Sequence, residues 1–136
     1  MAGISISVEV SGFESLVRKL GASTAASTLA RPLVQAQQLI REKLAKYPPP
    51  PPNSTYIRTG RLGEGWEAPV PTSLMAQVTN MVEYAPFVQR SPLMGDPHQT
   101  AQHAATGWPT DVGVVEESAD EIGALFGAAI QEALDS

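Results

Sequence analysis

Five consecutive prolines, Pro48 to Pro52, impose the strongest constraint on how this chain can fold. Proline lacks a backbone N–H and disfavours helical geometry in the residue before it, so a preceding helix must end by Tyr47. The run itself favours an extended polyproline II segment of about 3.1 Å per residue. We therefore predict a stiff linker over residues 48–53. A second interpretation, a proline-rich ligand for an aromatic-groove domain, finds no additional specificity in the flanking residues.

The part before the prolines has the pattern of one strand followed by helices, over residues 4–47. Apolar and polar residues alternate over residues 4–10, which predicts a half-buried strand. A short helix follows and ends at Gly21. Apolar residues then recur three or four apart, as one helical face requires: Leu29, Leu33, Ala36, Ile40 and Leu44. We place the start of this helix near residues 30–31, so that Pro32 lies in its first turn rather than at a kink.

The part after the linker predicts a β-hairpin within residues 54–89. Alternating segments at 66–70 and 74–81 indicate strands, and the prolines and serine between them indicate a turn. Trp66 is predicted to be a core residue of this hairpin. A two-stranded hairpin must bury one face against another element to be stable. The helices before and after it in the sequence can pack on that face.

The last third of the chain predicts a loop and a helix. Residues 90–110 are rich in proline and glycine and lack periodicity, so we predict a long loop. A helix over 112–135 would turn one apolar face inward: Val115, Ala119, Ile122, Phe126, Ala129, Ile130 and Ala133. Gly123 and Gly127 each cost this helix about 1 kcal/mol relative to alanine, which predicts a close backbone contact on their side.

These elements predict a single α+β domain spanning residues 1–136. A small antiparallel sheet, made of the hairpin and the N-terminal strand, would pack against a long central helix and a C-terminal helix. The length suits one core. The chain has no cysteine, which excludes disulfides and thiolate chemistry. No apolar run reaches the roughly 18 residues that a membrane span needs, so we expect no membrane contact.

Charge is distributed unevenly along the chain. Residues 111–136 hold seven of the 14 acidic residues and no lysine or arginine. The central part contains a basic zone: Arg41, Lys43, Lys46, Arg58 and Arg61. Such asymmetry favours pairing between subunits more than nucleic-acid binding, which usually shows a denser basic stripe with aromatic residues.

Candidate catalytic and metal-binding groups are sparse. His98 and His103, with Asp96 or Asp111, are the only metal-ligand candidates, and a spacing of five residues places the two histidines on no common helical face. The sequence has no nucleophile-elbow motif and no phosphate-binding glycine loop. We predict a protein that is not an enzyme and has no metal or cofactor.

Three short motifs occur in a characteristic order. They are Arg58-Thr59-Gly60-Arg61-Leu62, Tyr84-Ala85-Pro86-Phe87-Val88 and Trp108-Pro109-Thr110-Asp111. With the hairpin between the first two and a final helix after the third, the chain resembles the neck or tail-completion proteins of long-tailed bacteriophages over roughly residues 13–134. It departs from the commoner family pattern after the tyrosine motif, where it has Arg90-Ser91-Pro92.

The resemblance implies a structural virion protein without catalytic residues. Such a protein forms a homo-oligomeric ring at the head–tail junction, contacts other neck and tail proteins, and is assembled in the host cytoplasm. DNA passes through the ring without sequence-specific binding. Two alternatives stay open: a tail-terminator ring protein, or a small non-viral adaptor that docks through the prolines or the loop.

We predict subunit or partner contacts at eight residues: Tyr56, Arg58, Arg61, Tyr84, Phe87, Trp108, Gly123 and Gly127. For Trp108, contact with a neighbouring chain and contact with the C-terminal helix are equally favoured. We expect the loop over residues 90–108 to become ordered only in the assembly. The acidic C-terminal segment would either line the ring channel or pair with the basic zone of the adjacent subunit.

Overall fold

The fold joins a small sheet to two long helices. The computed structural model describes residues 3–50, 60–72 and 74–136. The elements, in chain order, are β1 (Ile4–Glu9), α1 (Phe13–Leu20), α2 (Ala22–Leu44), α3 (Arg61–Glu64), β2 (Trp66–Glu67), β3 (Met75–Asn80), α4 (Ala85–Gln89), a 3-10 helix (Pro92–Met94), α5 (Ala101–Thr106) and α6 (Asp111–Asp135). This arrangement confirms the predicted α+β class.

The sheet is antiparallel, with strand order β1-β3-β2. Ile4 lies opposite Asn80, and Trp66 lies opposite the same residue on the other side of β3. The N-terminal strand and the hairpin therefore form one sheet, as predicted. Its inner face and α2 enclose an apolar core that includes Trp66, which is fully buried as predicted.

The first strand of the hairpin is shorter than predicted, because β2 ends at Glu67 instead of residue 70. Proline has no N–H for a strand ladder, so Pro69 cannot donate to β3. The buried Gln37 side chain of α2 donates instead, from Nε2 to the carbonyl oxygens of Pro69 at 2.7 Å and Gln77 at 2.8 Å. A helix side chain thus replaces the missing ladder bond and anchors the extended segment after β2.

The end of the predicted hairpin unit is a helix rather than a strand. The chain turns after Asn80, and Ala85–Gln89 forms α4 with Pro86 in its first turn. Proline is favoured at that position because its missing N–H would be unpaired there anyway. Four of the five α4 residues are buried, so tertiary packing supports a helix too short to be stable alone.

Helix α2 begins eight residues earlier than predicted, at Ala22, and continues through Pro32. Pro32 therefore lies inside the helix, and its predicted place in the first turn is wrong. Ala25 is fully buried one turn before Leu29, so the packed face extends toward the N-terminus. Burial of that face and of the Pro32 ring compensates for the hydrogen bond that proline cannot make.

Helix α6 packs along α2 in the opposite direction. Lys43 lies near the end of α2 and Glu117 near the beginning of α6, and Lys43 Nζ is 3.4 Å from Glu117 Oε1. The buried face begins with Asp111, Val114 and Ser118, whereas the predicted inward residues Val115 and Ala119 are exposed. Ile122, Phe126, Ala129, Ile130 and Ala133 are half-buried, so the prediction was wrong only for the first two residues of the predicted face.

The loop between α4 and α6 carries two short helices. The 3-10 helix begins after Ser91, whose hydroxyl accepts from Leu93 N at 3.1 Å. Helix α5 begins after Thr100 and ends at Gly107, which has a positive φ of 98°. The predicted long loop is therefore present but locally helical at both places.

Candidate functional site

The first two motifs of the resemblance contact each other where Arg61 lies over the Tyr84 ring, and Asn80 bonds the first motif to the turn before the second. The Asn80 side-chain nitrogen donates to the Leu62 carbonyl oxygen at 2.9 Å. Its side-chain oxygen accepts from Val82 N at 3.0 Å. Asn80 is fully buried and ends β3, so it joins α3 to the turn that leads into α4. We call this junction of α3 with residues 80–87 the motif corner.

Arg61 forms the exposed surface of the motif corner. Its Nη2 lies 3.4 Å from Glu83 Oε1, and its guanidinium carbon lies 5.6 Å from the centroid of the Tyr84 ring. The two charged side chains are 58% and 79% exposed. An exposed pair of this kind contributes only about 0–1 kcal/mol to stability. Arg61 and Tyr84, both predicted contact residues, are thus adjacent.

Gly60 begins the motif corner in a left-handed conformation. It is the N-cap of α3, with φ 83°. Gly60 and Glu64 are joined by a backbone hydrogen bond of 3.1 Å. Residues with a Cβ disfavour this conformation, so the glycine of the first motif has a backbone role.

Trp108 is linked to the motif corner through Tyr47, a residue that we did not predict. The Tyr47 and Trp108 rings meet edge to face, with centroids 4.9 Å apart. The Tyr47 hydroxyl accepts from Gly63 N at 2.9 Å. The signal in the sequence was the position of Tyr47, an aromatic residue immediately before the prolines in a chain with few aromatics. Trp108 thus contacts the end of the α2 region within its own chain.

Two buried glutamines fix the segments around the motif corner. Gln89 accepts from Trp66 Nε1 at 3.1 Å and donates to the carbonyl oxygens of Leu44 and Pro109, at 2.8 and 3.2 Å. Gln99 donates to the carbonyl oxygens of Val88 and Trp108, at 2.8 and 3.0 Å.

These bonds bear on the expected mobility of the 90–108 loop. They tie both ends of the loop to other segments of the same chain, and ordering of the loop by a neighbouring subunit stays a prediction.

Three large apolar side chains are exposed on α4 and on the 3-10 helix that follows it. Phe87 on α4 is 45% exposed, and Leu93 and Met94 on the 3-10 helix are 81% and 48% exposed. The Phe87 carbonyl accepts from Thr100 N at 2.9 Å, which fixes the backbone of this segment against the loop. Large exposed apolar side chains on a fixed backbone are typical of protein-binding surfaces.

The other predicted contact residues lie elsewhere. Gly123 and Gly127 are exposed on α6, and a Cβ added at either would meet no atom within 4 Å. The close backbone contact predicted there is therefore absent from the described part of the chain. The helix tolerates both glycines because α6 is held by its packing against α2. Tyr56 and Arg58 lie outside the described residues.

The two histidines contact separate partners. His98 Nε2 lies 3.2 Å from Asp96 Oδ1, and His103 Nδ1 lies 2.7 Å from Thr100 Oγ1. Across residues 3–50, 60–72 and 74–136, no three histidine or acidic side chains are grouped closely enough to hold a metal ion. None of the helices described is long and apolar enough to cross a membrane.

Comparison of the chain with protein families, curated proteins and solved structures finds no match.

Replacing Gly60 with alanine should lower the free energy of unfolding by about 1–2 kcal/mol, because the new Cβ disfavours the left-handed conformation. A steric clash is not the cause of the lower stability, since the nearest atom to such a Cβ outside the two adjacent residues is Glu64 Oε1 at 3.6 Å. Gly123→Ala is the matched control and should raise stability by up to about 1 kcal/mol, because Gly123 is helical and unobstructed. Urea denaturation measures both, and equal midpoints for Gly60→Ala and the unmodified protein would contradict the backbone role.

Replacing Gln99 with alanine should expose the 90–108 loop to proteolysis. The change removes the Gln99 donor from the Val88 and Trp108 carbonyl oxygens, and a buried carbonyl without a donor costs about 1–3 kcal/mol. Gln102→Ala, at an exposed position of α5, is the control and should leave cleavage unchanged. Limited proteolysis with mass spectrometry locates the cuts. If the Gln99 variant is cleaved no faster than the control, the two hydrogen bonds do not hold the loop.

Proposed function

We propose that the chain is a structural subunit of a tailed bacteriophage that forms a ring at the head–tail junction and connects head to tail. The observation that carries the proposal is the motif corner. Residues from the Arg-Thr-Gly-x-Leu and Tyr-Ala-x-Phe-Val segments, which carry the family resemblance, pack together although about 20 residues separate them. Such packing gives the two segments a common structural role and supports treating them as one unit.

The surface beside the motif corner supports a role in assembly. Phe87 on α4 is 45% exposed, and Leu93 and Met94 are exposed on the 3-10 helix that follows α4. Aromatic side chains surrounded by polar groups are frequent anchors of protein interfaces. Arg61 and Glu83 provide the polar edge. We infer that this surface contacts the neighbouring subunit of the ring.

Charge favours one of the two roles considered for the acidic C-terminal segment. Lys43 of the basic zone is already paired with Glu117 of its own chain, and Arg41 Nε donates to the Trp66 carbonyl at 3.0 Å. Two of the cations offered for pairing with an adjacent subunit thus have partners within the chain. Glu116, Asp120 and Glu121 are exposed on α6. We therefore favour the role in which α6 lines the ring channel. Its negative charge would there prevent the passing DNA from binding to the ring.

Two other functions are separable by simple observations. A tail-terminator ring is a related structural role that belongs to the tail before it joins the head, so labelling of isolated heads and isolated tails distinguishes it. A non-viral adaptor would act as a monomer on a peptide or protein partner. Genes for portal, capsid and tail-tube proteins next to this one would favour both phage roles over the adaptor.

Electron microscopy of the concentrated protein, or of assembling particles, should reveal rings. Phe87→Asp should abolish them while leaving the fold intact, because the substitution places a charge in the proposed contact. Val34→Asp is the matched control, since Val34 is 42% exposed on α2, away from the motif corner. Circular dichroism verifies folding of both. Rings that persist in the Phe87 variant would refute this contact, and a monomer under all conditions would refute the proposed ring.

Reversing the exposed acids of α6 tests the channel lining. A ring of the triple variant Glu116→Lys, Asp120→Lys and Glu121→Lys should retain DNA that the unmodified ring releases, because the lining changes sign. Raising salt from about 0.05 to 0.5 M should leave the unmodified ring assembled, since ion pairs do not hold it. Assembled variant rings without added DNA retention would exclude the channel lining.

A further inference from the structure

Strand β1 leaves one edge of the sheet open. Val10 continues the β1–β3 register, and its N–H donates to the Leu74 carbonyl at 3.1 Å. In an antiparallel pair, hydrogen-bonded and non-hydrogen-bonded residues alternate. The even-numbered residues of β1 therefore bond to β3. The N–H and C=O groups of Ser5, Ser7 and Glu9 point the other way, toward the outside of the sheet.

These outward groups have no partner in the described part of the chain. Among residues 3–50, 60–72 and 74–136, no hydrogen bond is found to the outward backbone groups of Ser5, Ser7 or Glu9, and all three residues are exposed. Proteins usually protect such an edge with proline, lysine, a bulge or a covering loop. Residues 4–10 contain no proline and no lysine.

The opposite edge of the sheet is protected. Strand β2 has two residues, its Trp66 carbonyl accepts from Arg41, and Pro69 follows it. The sheet thus has one closed edge and one edge of strand length that can accept another strand.

We propose that β1 pairs antiparallel with β1 of a second copy of this chain, about a two-fold axis at Ser7. Ser7 is the centre of residues 4–10, the segment that pairs with β3, so this register overlaps the whole strand. The three outward residues of each strand would exchange about six hydrogen bonds. The two sheets would become one continuous sheet of six strands.

The side chains of β1 are complementary to themselves in this register. Ser5 lies opposite Glu9 of the second copy, so the two carboxylates are kept apart. On the other face Ile6 lies opposite Val8 of the second copy, and the pairing covers Val8, which a single chain leaves partly buried. A register centred on Glu9 would instead place two carboxylates opposite each other, which is unfavourable.

This dimer does not depend on the proposed ring. A two-fold contact uses the same surface on both copies and closes after two chains, whereas a ring needs two different surfaces. The β1 contact would join two copies before assembly or join two rings face to face. Its residues are separate from the motif corner, so each contact can fail without the other.

Disulfide trapping tests the register directly, because the natural chain has no cysteine. In the Ser7→Cys variant the two Cα atoms would lie about 5.5 Å apart, within disulfide range. In the control variant, Ser5→Cys, the Cα atoms of residue 5 in the two copies would lie about 14 Å apart, beyond that range. Under mild oxidation the Ser7 variant should form disulfide dimer more than about tenfold faster than the control. A mixture of Ser5→Cys and Glu9→Cys chains should form the mixed dimer.

A second variant tests the contact without a disulfide. Ser7→Pro removes an outward N–H and leaves the bonds to β3 in place, since edge strands accept proline at such positions. It should retain the circular dichroism spectrum and change from dimer to monomer in analytical ultracentrifugation. The proposal is overturned if Ser7→Cys crosslinks no faster than Ser5→Cys, or if the unmodified protein stays monomeric at the highest attainable concentration.

Discussion

The fold depends on buried amide side chains that satisfy the backbone of irregular segments. Gln89 bonds at once to Trp66 in the sheet, to the end of α2 and to the segment before α6. Gln37 replaces a ladder bond that Pro69 cannot make. Buried carbonyl groups without donors are strongly unfavourable, so each amide allows a loop to lie against the core. The chain can thereby include many prolines and short helices around a sheet of only three strands.

This arrangement explains why the candidate contact surface is rigid. The motif corner lies between Asn80, which joins α3 to the turn before α4, and the two glutamines that hold α4 and the loop. Arg61 and Phe87 project from backbone that is fixed on several sides. A contact surface held in this way loses little conformational entropy when a partner binds, which favours assembly. The open edge of β1 is a separate surface with different chemistry, namely unpaired backbone groups.

The errors of sequence reasoning have identifiable physical causes. Small residues before Leu29 gave no helical signal, yet Ala25 packs into the core and extends α2 by two turns. The hairpin was predicted within residues 54–89, but the backbone turns after Asn80 and packing selects α4 for the end of that segment. On α6, Val114 and Ser118 are buried in place of Val115 and Ala119, because the direction of an inward face depends on how α2 meets the helix. Of the predicted contact residues, Arg61 and Tyr84 meet, whereas the α6 glycines face open space.

Local patterns by themselves determined the class of fold, the N-terminal strand, the hairpin, the two long helices and the buried Trp66. Each of these follows from side-chain periodicity, which operates over a few neighbours. Only the tertiary structure decided the partners of Gln37, Gln89 and Gln99, the contact of Tyr47 with Trp108, and which edge of the sheet stays open. These depend on groups brought together from positions up to 45 residues apart, which no local pattern specifies.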